Sequence, residues 1–113
     1  MRTNIFIYIG STFSLLFGQL TFTVNEISLN ADASKDVFAV DMDKDGDIDV
    51  LSASDYDDKI AWYENNGKQS FSTHNIDTNA DGANAVYALD LDNDGDISTI
   101  CWKFRYIFIC GNF

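Results

Sequence analysis

The sequence contains no proline, one histidine and two cysteines among its 113 residues. It has no CxxC pair and no His/Cys cluster, which excludes the usual zinc sites. Basic residues are also scarce, because seven lysines and arginines stand against eighteen acidic residues and give a net charge of −11. Such a chain has no basic patch that could neutralise phosphates, so we expect no nucleic-acid partner.

Aspartate is what the chain has in excess. It supplies sixteen of the eighteen acidic residues, which favours turns and ligand loops over the Glu-rich faces of helices. Five of the sixteen lie within residues 41–49, DMDKDGDID, on an alternating spacing. Without a cation, carboxylates at this density would repel one another, so the segment calls for a counter-charge.

The spacing within residues 41–49 is typical of a calcium loop. Carboxylates at loop positions 1, 3, 5 and 9 can converge on one hard cation, and Gly46 at position 6 permits the sharp turn that this requires. The predicted Ca²⁺ ligands are Asp41, Asp43, Asp45, Asp47 (through its backbone carbonyl) and Asp49. The alternative is a solvated acidic turn. An EF-hand is excluded, because Ser52 occupies position 12 and the flanking residues are β-branched or small.

A comparison of the chain with itself shows an internal repeat. Residues 30–49 return 49 residues later as residues 79–98, with eleven of the twenty positions identical. A period of this length with strand-like content predicts a four-stranded propeller blade. We therefore expect an all-β antiparallel fold with about one full blade and parts of two neighbours. The repeat region spans 19–98, with repeats near 30–78 and 79–98.

The strands of the full blade follow from its turns and its apolar alternation. They are predicted at residues 37–41, 48–54, 59–64 and 70–76. Residues 21–28 match the last of these at the same offset, since Phe22 and Ile27 stand 49 residues before Phe71 and Ile76. This segment is interpreted either as a strand that completes another blade or as a simple leader strand.

The two ends of the chain differ from the repeat. Residues 1–18 carry Arg2, an apolar run and then Gly18, which predicts a signal peptide and a secreted or cell-surface protein with no membrane span in its mature form. The alternative is an uncleaved anchor. Residues 99–113 form an anomalous aromatic tail, interpreted as a truncated or frame-shifted end, the alternative being an evolved terminus. Cys101 and Cys110 lie in this tail and can pair in an oxidising compartment.

The segments VFAVDMDKDGDIDVLSAS and KIAWYEN, the turn NNGKQSF and the second loop VYALDLDNDGDI resemble the FG-GAP/VCBS repeats, whose blades are also found in the integrin α-subunit propeller. The resemblance covers about residues 22–97. It implies a β-propeller, calcium held in the loop between the first two strands of a blade, and extracellular binding roles. The Ca²⁺ ligands that it implies in the second loop are Asp90, Asp92, Asp94 and Asp96 (through its carbonyl).

Two departures from the family pattern are visible. Ser98 replaces the acid expected at position 9 of the second loop. The Phe-Gly and Gly-Ala-Pro elements that name the family are absent, which favours the VCBS-like branch.

Three hypotheses for the function follow. The first is a calcium-binding module of a longer propeller, for adhesion or for recognition of an extracellular protein or glycan. The second is a fragment of a propeller enzyme, a polysaccharide lyase or hydrolase, and the third is a non-functional truncated gene product. We expect no enzymatic activity, because the clustered carboxylates belong to the loops and no Ser/His/Asp, Cys/His or separated acid pair outside them has a supporting constellation.

Overall fold

Seven antiparallel strands make up the computed structural model, which describes residues 19–113. In chain order they are β1 Ser34–Val40, β2 Asp49–Ser54, β3 Lys59–Asn65, β4 Phe71–Asp77, β5 Ala83–Leu89, β6 Ser98–Lys103 and β7 Tyr106–Asn112. β1 to β4 form a four-stranded sheet in sequence order, and β5 to β7 form a three-stranded sheet. The predicted all-β antiparallel blade is confirmed.

The predicted signal peptide lies outside the described residues. Within residues 19–113, no helix has the length and apolar character needed to cross a membrane.

The strands of the first sheet lie where the repeat predicts them, within three residues at each end. β2 and β3 are the inner pair, and their small and apolar side chains are mostly buried. β4 forms an edge and carries mostly exposed polar residues, which suits a strand that faces water. Gly67, at φ 74°, takes the left-handed conformation that the turn between β3 and β4 requires.

The second sheet repeats the first. β5 and β6 begin 49 residues after β1 and β2, and both sheets have a register shift at the same point of their first strand. β7 takes the place of β3, although the turn before it has two residues, 104–105, where the first sheet has four, 55–58. An even change in turn length keeps each side chain on its original face. Ile107 therefore pairs with Trp102 as Ile60 pairs with Ala53.

Residues 99–113, which the sequence sets apart as an anomalous tail, thus form β7 and all of β6 except Ser98, and they belong to the second sheet. A disulfide joins Cys101 of β6 to Cys110 of β7, with their Cα atoms 5.9 Å apart. The pairing that the sequence allows is present, and it fixes the last strand of this sheet to its neighbour.

Residues 21–28 form no strand, which differs from both interpretations of this segment. A strand depends on hydrogen bonds to a neighbouring strand, and residues 21–28 pair with none of β1 to β7. The apolar side chains of Phe22 and Val24 are exposed instead.

A hydrophobic core lies between the two sheets. Its buried members are Met42, Leu51, Ala53, Ile60, Ala80, Ala83, Val86, Ala88 and Cys101. At its margin, the rings of Phe38 and Tyr87 lie 4.5 Å apart, and the Val86 N–H donates to Asp36 Oδ2 at 3.1 Å. This packing brings the two acidic loops together, since Lys44 Nζ of the first lies 3.6 Å from Asp96 Oδ1 of the second.

Candidate metal centre

Two acidic loops, residues 41–49 and 90–98, join the first and second strands of the two sheets, and the ninth residue of each loop is the first residue of the second strand. The backbones of the two loops turn in the same way. Gly46 and Gly95 both lie at φ 97°, and Lys44 and Asn93 both lie at φ 64°. Glycine takes a left-handed conformation without strain, which explains its presence at the sixth position of both loops. The shared sequence pattern therefore specifies one shared loop shape.

Three carboxylates converge in the first loop. Asp41, Asp43 and Asp49 each have an oxygen within 4.8 Å of the oxygens of the other two. Backbone groups orient two of them, since the Gly46 N–H donates to Asp41 Oδ2 at 3.0 Å and the Asp45 N–H donates to Asp43 Oδ1 at 3.2 Å. The structure thus brings three of the predicted ligand side chains together.

The second loop repeats this arrangement with a different third member. Asp90, Asp92 and Asp94 have oxygens within 4.8 Å of one another. The Gly95 N–H donates to Asp90 Oδ2 at 2.9 Å, as Gly46 does to Asp41, and the Asp96 N–H donates to Asp94 Oδ1 at 2.8 Å. All three side-chain ligands that the resemblance implies for this loop are close together.

The remaining predicted residues lie outside these groups. Asp45 is not part of the first convergent group, and its Oδ1 accepts the Asp47 N–H at 2.8 Å. The side chain of Asp47 lies against the turn after β3, where a Cβ on Gly67 would come 2.5 Å from Asp47 Oδ2. The side chain of Asp96 pairs with Lys44. For Asp47 and Asp96, the prediction concerns only their backbone carbonyls.

One buried carboxylate oxygen in each loop lacks a hydrogen-bond partner within the described part of the chain. These atoms are Asp41 Oδ1 and Asp90 Oδ1, the first residues of the two loops. A buried carboxylate oxygen without a partner is costly, so it calls for a cation or a proton. A set of carboxylate oxygens is what Ca²⁺ prefers as ligands. The residues present therefore fit calcium.

The carboxylates of the first loop also repel one another. The pKa of the Asp43 carboxyl group is raised above its ordinary value, first by partial desolvation and then by the negative charges of Asp45, Asp49 and Glu64. The hydrogen bond from the Asp45 N–H opposes this rise. A divalent cation would remove the repulsion.

The ninth position distinguishes the two loops. Asp49 is fully buried, and its Oδ2 accepts the Met42 N–H at 3.0 Å while its Oδ1 accepts the Asn65 N–H at 2.8 Å. This carboxylate ties the first loop to the end of β3. In the second loop, Ser98 Oγ donates to Asn112 Oδ1 at 2.9 Å, so the connection to β7 persists without a charge.

Two residues at this centre were not predicted from the sequence. Asn65 supports the loop through its N–H to Asp49 and through Nδ2, which donates to the Ile48 carbonyl at 3.1 Å. The sequence feature that could have identified Asn65 is Asn112, the asparagine at the equivalent position of the second sheet. The two asparagines align only when the shorter turn before β7 is taken into account. Lys44 is the second residue that was not predicted. The sequence feature that could have identified it is its position as the one basic residue within residues 41–49.

Comparison with known proteins adds one finding. A family model described as an FG-GAP-like repeat matches residues 41–98, which is just over half of the chain and extends from the first acidic loop to the end of the second. No curated protein and no solved structure matches the chain. The matched segment holds both groups of convergent carboxylates and the strands between them. The chain therefore belongs to the FG-GAP-like repeat family.

Proposed function

We propose that this chain is a calcium-binding β-propeller repeat module that acts outside the cell, in adhesion or in recognition of a protein or glycan. The observation that carries the calcium proposal is that each acidic loop has three convergent carboxylates and a buried carboxylate oxygen with no hydrogen-bond partner. The two loops share one backbone shape, so two separate segments meet the same requirement.

Calcium would act in these loops as a structural ion. Asp41, Asp43 and Asp49 would hold it in the first loop, and the second loop would use Asp90, Asp92 and Asp94. The bound ion supplies positive charge that cancels the repulsion between carboxylates. Because Asp49 also accepts a hydrogen bond from the end of β3, order in the first loop extends to the third strand of its sheet.

The extracellular location rests on three supporting observations. The signal pattern in residues 1–18 predicts export. The disulfide between Cys101 and Cys110 is typical of oxidising compartments. Loops with three carboxylates suit weak binding at about 10⁻⁴ to 10⁻³ M, a range that extracellular calcium can fill. The role in adhesion or recognition rests on the resemblance to extracellular propeller repeats.

Thermal denaturation of the chain with and without calcium tests the calcium proposal. For a site with an affinity of about 10⁻⁴ to 10⁻³ M, calcium at roughly 10 mM stabilises the folded chain by about 1.4 to 2.7 kcal/mol. We expect a clear rise of Tm in calcium and a smaller rise in magnesium, which requires a tighter octahedral site.

Matched variants assign the effect to the loops. Asp43→Asn and Asp92→Asn each neutralise one convergent carboxylate, whereas Asp81→Asn removes the same charge from an exposed position outside the loops. The first two should each reduce the rise of Tm in calcium, and the third should leave it unchanged. Equal responses in all three variants, or no response in the parent chain, would refute the calcium proposal.

A further inference from the structure

The two sheets contact each other through different faces. The first sheet contributes Leu51 and Ile60 to the core between them, and the second contributes Val86 and Ala88. β5 to β7 repeat β1 to β3, whereas β4 has no counterpart among the described strands of the second sheet. Over these three strands, the outward side of each sheet carries the counterparts of the residues that the other sheet buries in the core. One molecule therefore exposes both halves of an interface that it also contains.

Two pairs of identical residues show this directly. Ile60 is 0% exposed in the core, whereas its counterpart in β7, Ile107, is 66% exposed on the outward side of the second sheet. Val86 is 3% exposed in the core, whereas its counterpart in β1, Val37, is 63% exposed on the outward side of the first sheet. The same residue types are thus buried once and exposed once.

The outward side of the second sheet is named the leading face, and that of the first sheet is named the trailing face. The leading face comprises Tyr87, Leu91, Ile100, Trp102, Ile107 and Ile109. The trailing face comprises Ser34, Val37, Val50 and the buried Ser52, and it is bordered by Ile27 and Ala31 of the segment before β1. On the leading face, the half-exposed Leu91 is the counterpart of Met42, which is fully buried in the core.

Each face contains a shallow pocket. The pocket of the leading face has a volume of about 230 Å³ and is bordered by Trp102 and Ile107. The pocket of the trailing face has a volume of about 140 Å³ and is lined by small residues that include Ala31, Ser34 and Ser52. Trp102 stands where the first sheet has Ala53, so a contact between copies would place a larger side chain against these small residues.

We infer that the leading face of one molecule binds the trailing face of a second copy of this chain, in the way that the first sheet binds the second within the molecule. A second copy is the occupant because it presents the complementary half, and the internal interface shows how the halves fit. The contact is heterologous, so its repetition generates a ring or a filament of blades. This self-association goes beyond the calcium proposal and uses none of the loop carboxylates.

Charge sets the conditions for this association. The net charge of −11 makes copies repel each other at low salt. Within the molecule, Lys44 of the first loop pairs with Asp96 of the second, but Asn93 stands in place of this lysine at the leading end. The contact between copies therefore lacks this ion pair, and physiological salt with calcium is the appropriate buffer.

Sedimentation velocity of the full chain tests the inference across roughly 1 to 100 μM, where interfaces of moderate affinity dissociate. Val37→Lys damages only the trailing face and Ile107→Lys only the leading face, and both positions are exposed in the single molecule. Tyr56→Lys, in the exposed turn between β2 and β3, is the matched control. A lysine at the centre of an apolar contact should weaken association at least about tenfold.

We expect the parent chain and Tyr56→Lys to associate, and each face variant to remain monomeric by itself. An equal mixture of the two face variants should form a one-to-one dimer and nothing larger, because each supplies the face that the other has lost. A monomeric parent chain would overturn the inference and point to a different partner. It would also be overturned by face variants that associate like the parent, or by a mixture that stays monomeric or grows beyond a dimer.

Discussion

Replacement of Asp49 by asparagine separates the structural role of this side chain from its place in the calcium loop. The Asp49 carboxylate accepts hydrogen bonds from the N–H groups of Met42 and Asn65. Asparagine has almost the same shape, but it keeps only one acceptor oxygen. Its NH₂ group would face one of the two N–H donors, and that buried donor would lose its partner.

The expected loss follows from the burial of the site. A hydrogen bond to a charged group contributes about 1.5 to 3 kcal/mol, and Asp49 is 0% exposed with bonds of 2.8 and 3.0 Å. Removal of the negative charge of Asp49 also relieves its repulsion from the exposed Asp43. This relief recovers less than about 1 kcal/mol, because solvent weakens the repulsion. We therefore expect a net loss of about 2 kcal/mol in the free energy of unfolding. For a domain of this size, this lowers Tm by roughly 8 to 16 °C.

Circular dichroism melting in EDTA and in calcium measures both roles. Asp43→Asn is the control, because Asp43 is exposed and, among residues 19–113, its carboxylate accepts a hydrogen bond only from the Asp45 N–H. In EDTA, Asp49→Asn should melt well below the parent chain, and Asp43→Asn should melt close to it. In calcium, both variants should show a reduced gain in Tm. The reasoning fails if Asp49→Asn melts with the parent in EDTA, or if Asp43→Asn loses as much.

Three further predictions concern other features of the fold. Replacement of Cys101 and Cys110 by serine removes the disulfide, which closes a loop over a sequence separation of 9. Urea unfolding should then show a loss of about 2.5 kcal/mol in the free energy of unfolding. A parent chain whose stability does not change when reductant is added would contradict this. Gly67→Ala should lower stability by about 1 to 2 kcal/mol, because φ is 74° and the new Cβ would meet Asp47 Oδ2 at 2.5 Å. Adding Asp47→Ala should restore part of this loss in the same unfolding assay, and no restoration would show that the contact is unimportant. Lys44→Gln removes an exposed positive charge whose repulsion of a bound calcium ion costs about 0.5 kcal/mol. Calorimetric titration should therefore show calcium binding that is roughly two- to threefold tighter at low salt, and the difference should vanish at high salt.

The first sheet and the loop clusters could be predicted because their determinants are local. Residue type alone indicates the turns, because each acidic loop has glycine at its sixth position and the turn after β3 has the sequence NNGK. The alternation of apolar residues then places the strands between these turns. The convergence of Asp41 and Asp43 follows from their spacing in a loop of known shape. In contrast, the hydrogen bond that the Asn65 N–H donates to Asp49 joins residues 16 apart in the sequence, so it could not be predicted from the loop alone.

The second sheet was harder to predict because its evidence is not local. β7 differs from β3 in residue type, and the turn before it is two residues shorter, so a fixed offset of 49 residues misaligns the two strands. Only the pairing of β7 with β6 shows that they are equivalent. Residues 21–28 illustrate the opposite error, since they have the sequence of a strand but no neighbour with which to pair. Strand propensity depends on context, and the neighbouring strand provides that context.

The disulfide between β6 and β7 also bears on how the chain escapes misfolding. β7 is the last strand of its sheet in the described part of the chain, and residues 106–112, YIFICGN, are uncharged and rich in β-branched and aromatic side chains. Segments of this kind recruit identical segments into amyloid when they detach from their sheet. A covalent bond at Cys110 prevents β7 from detaching, so oxidation early in folding would act as a kinetic safeguard against fibril formation. Under reducing conditions, the same strand would become a template for fibril growth.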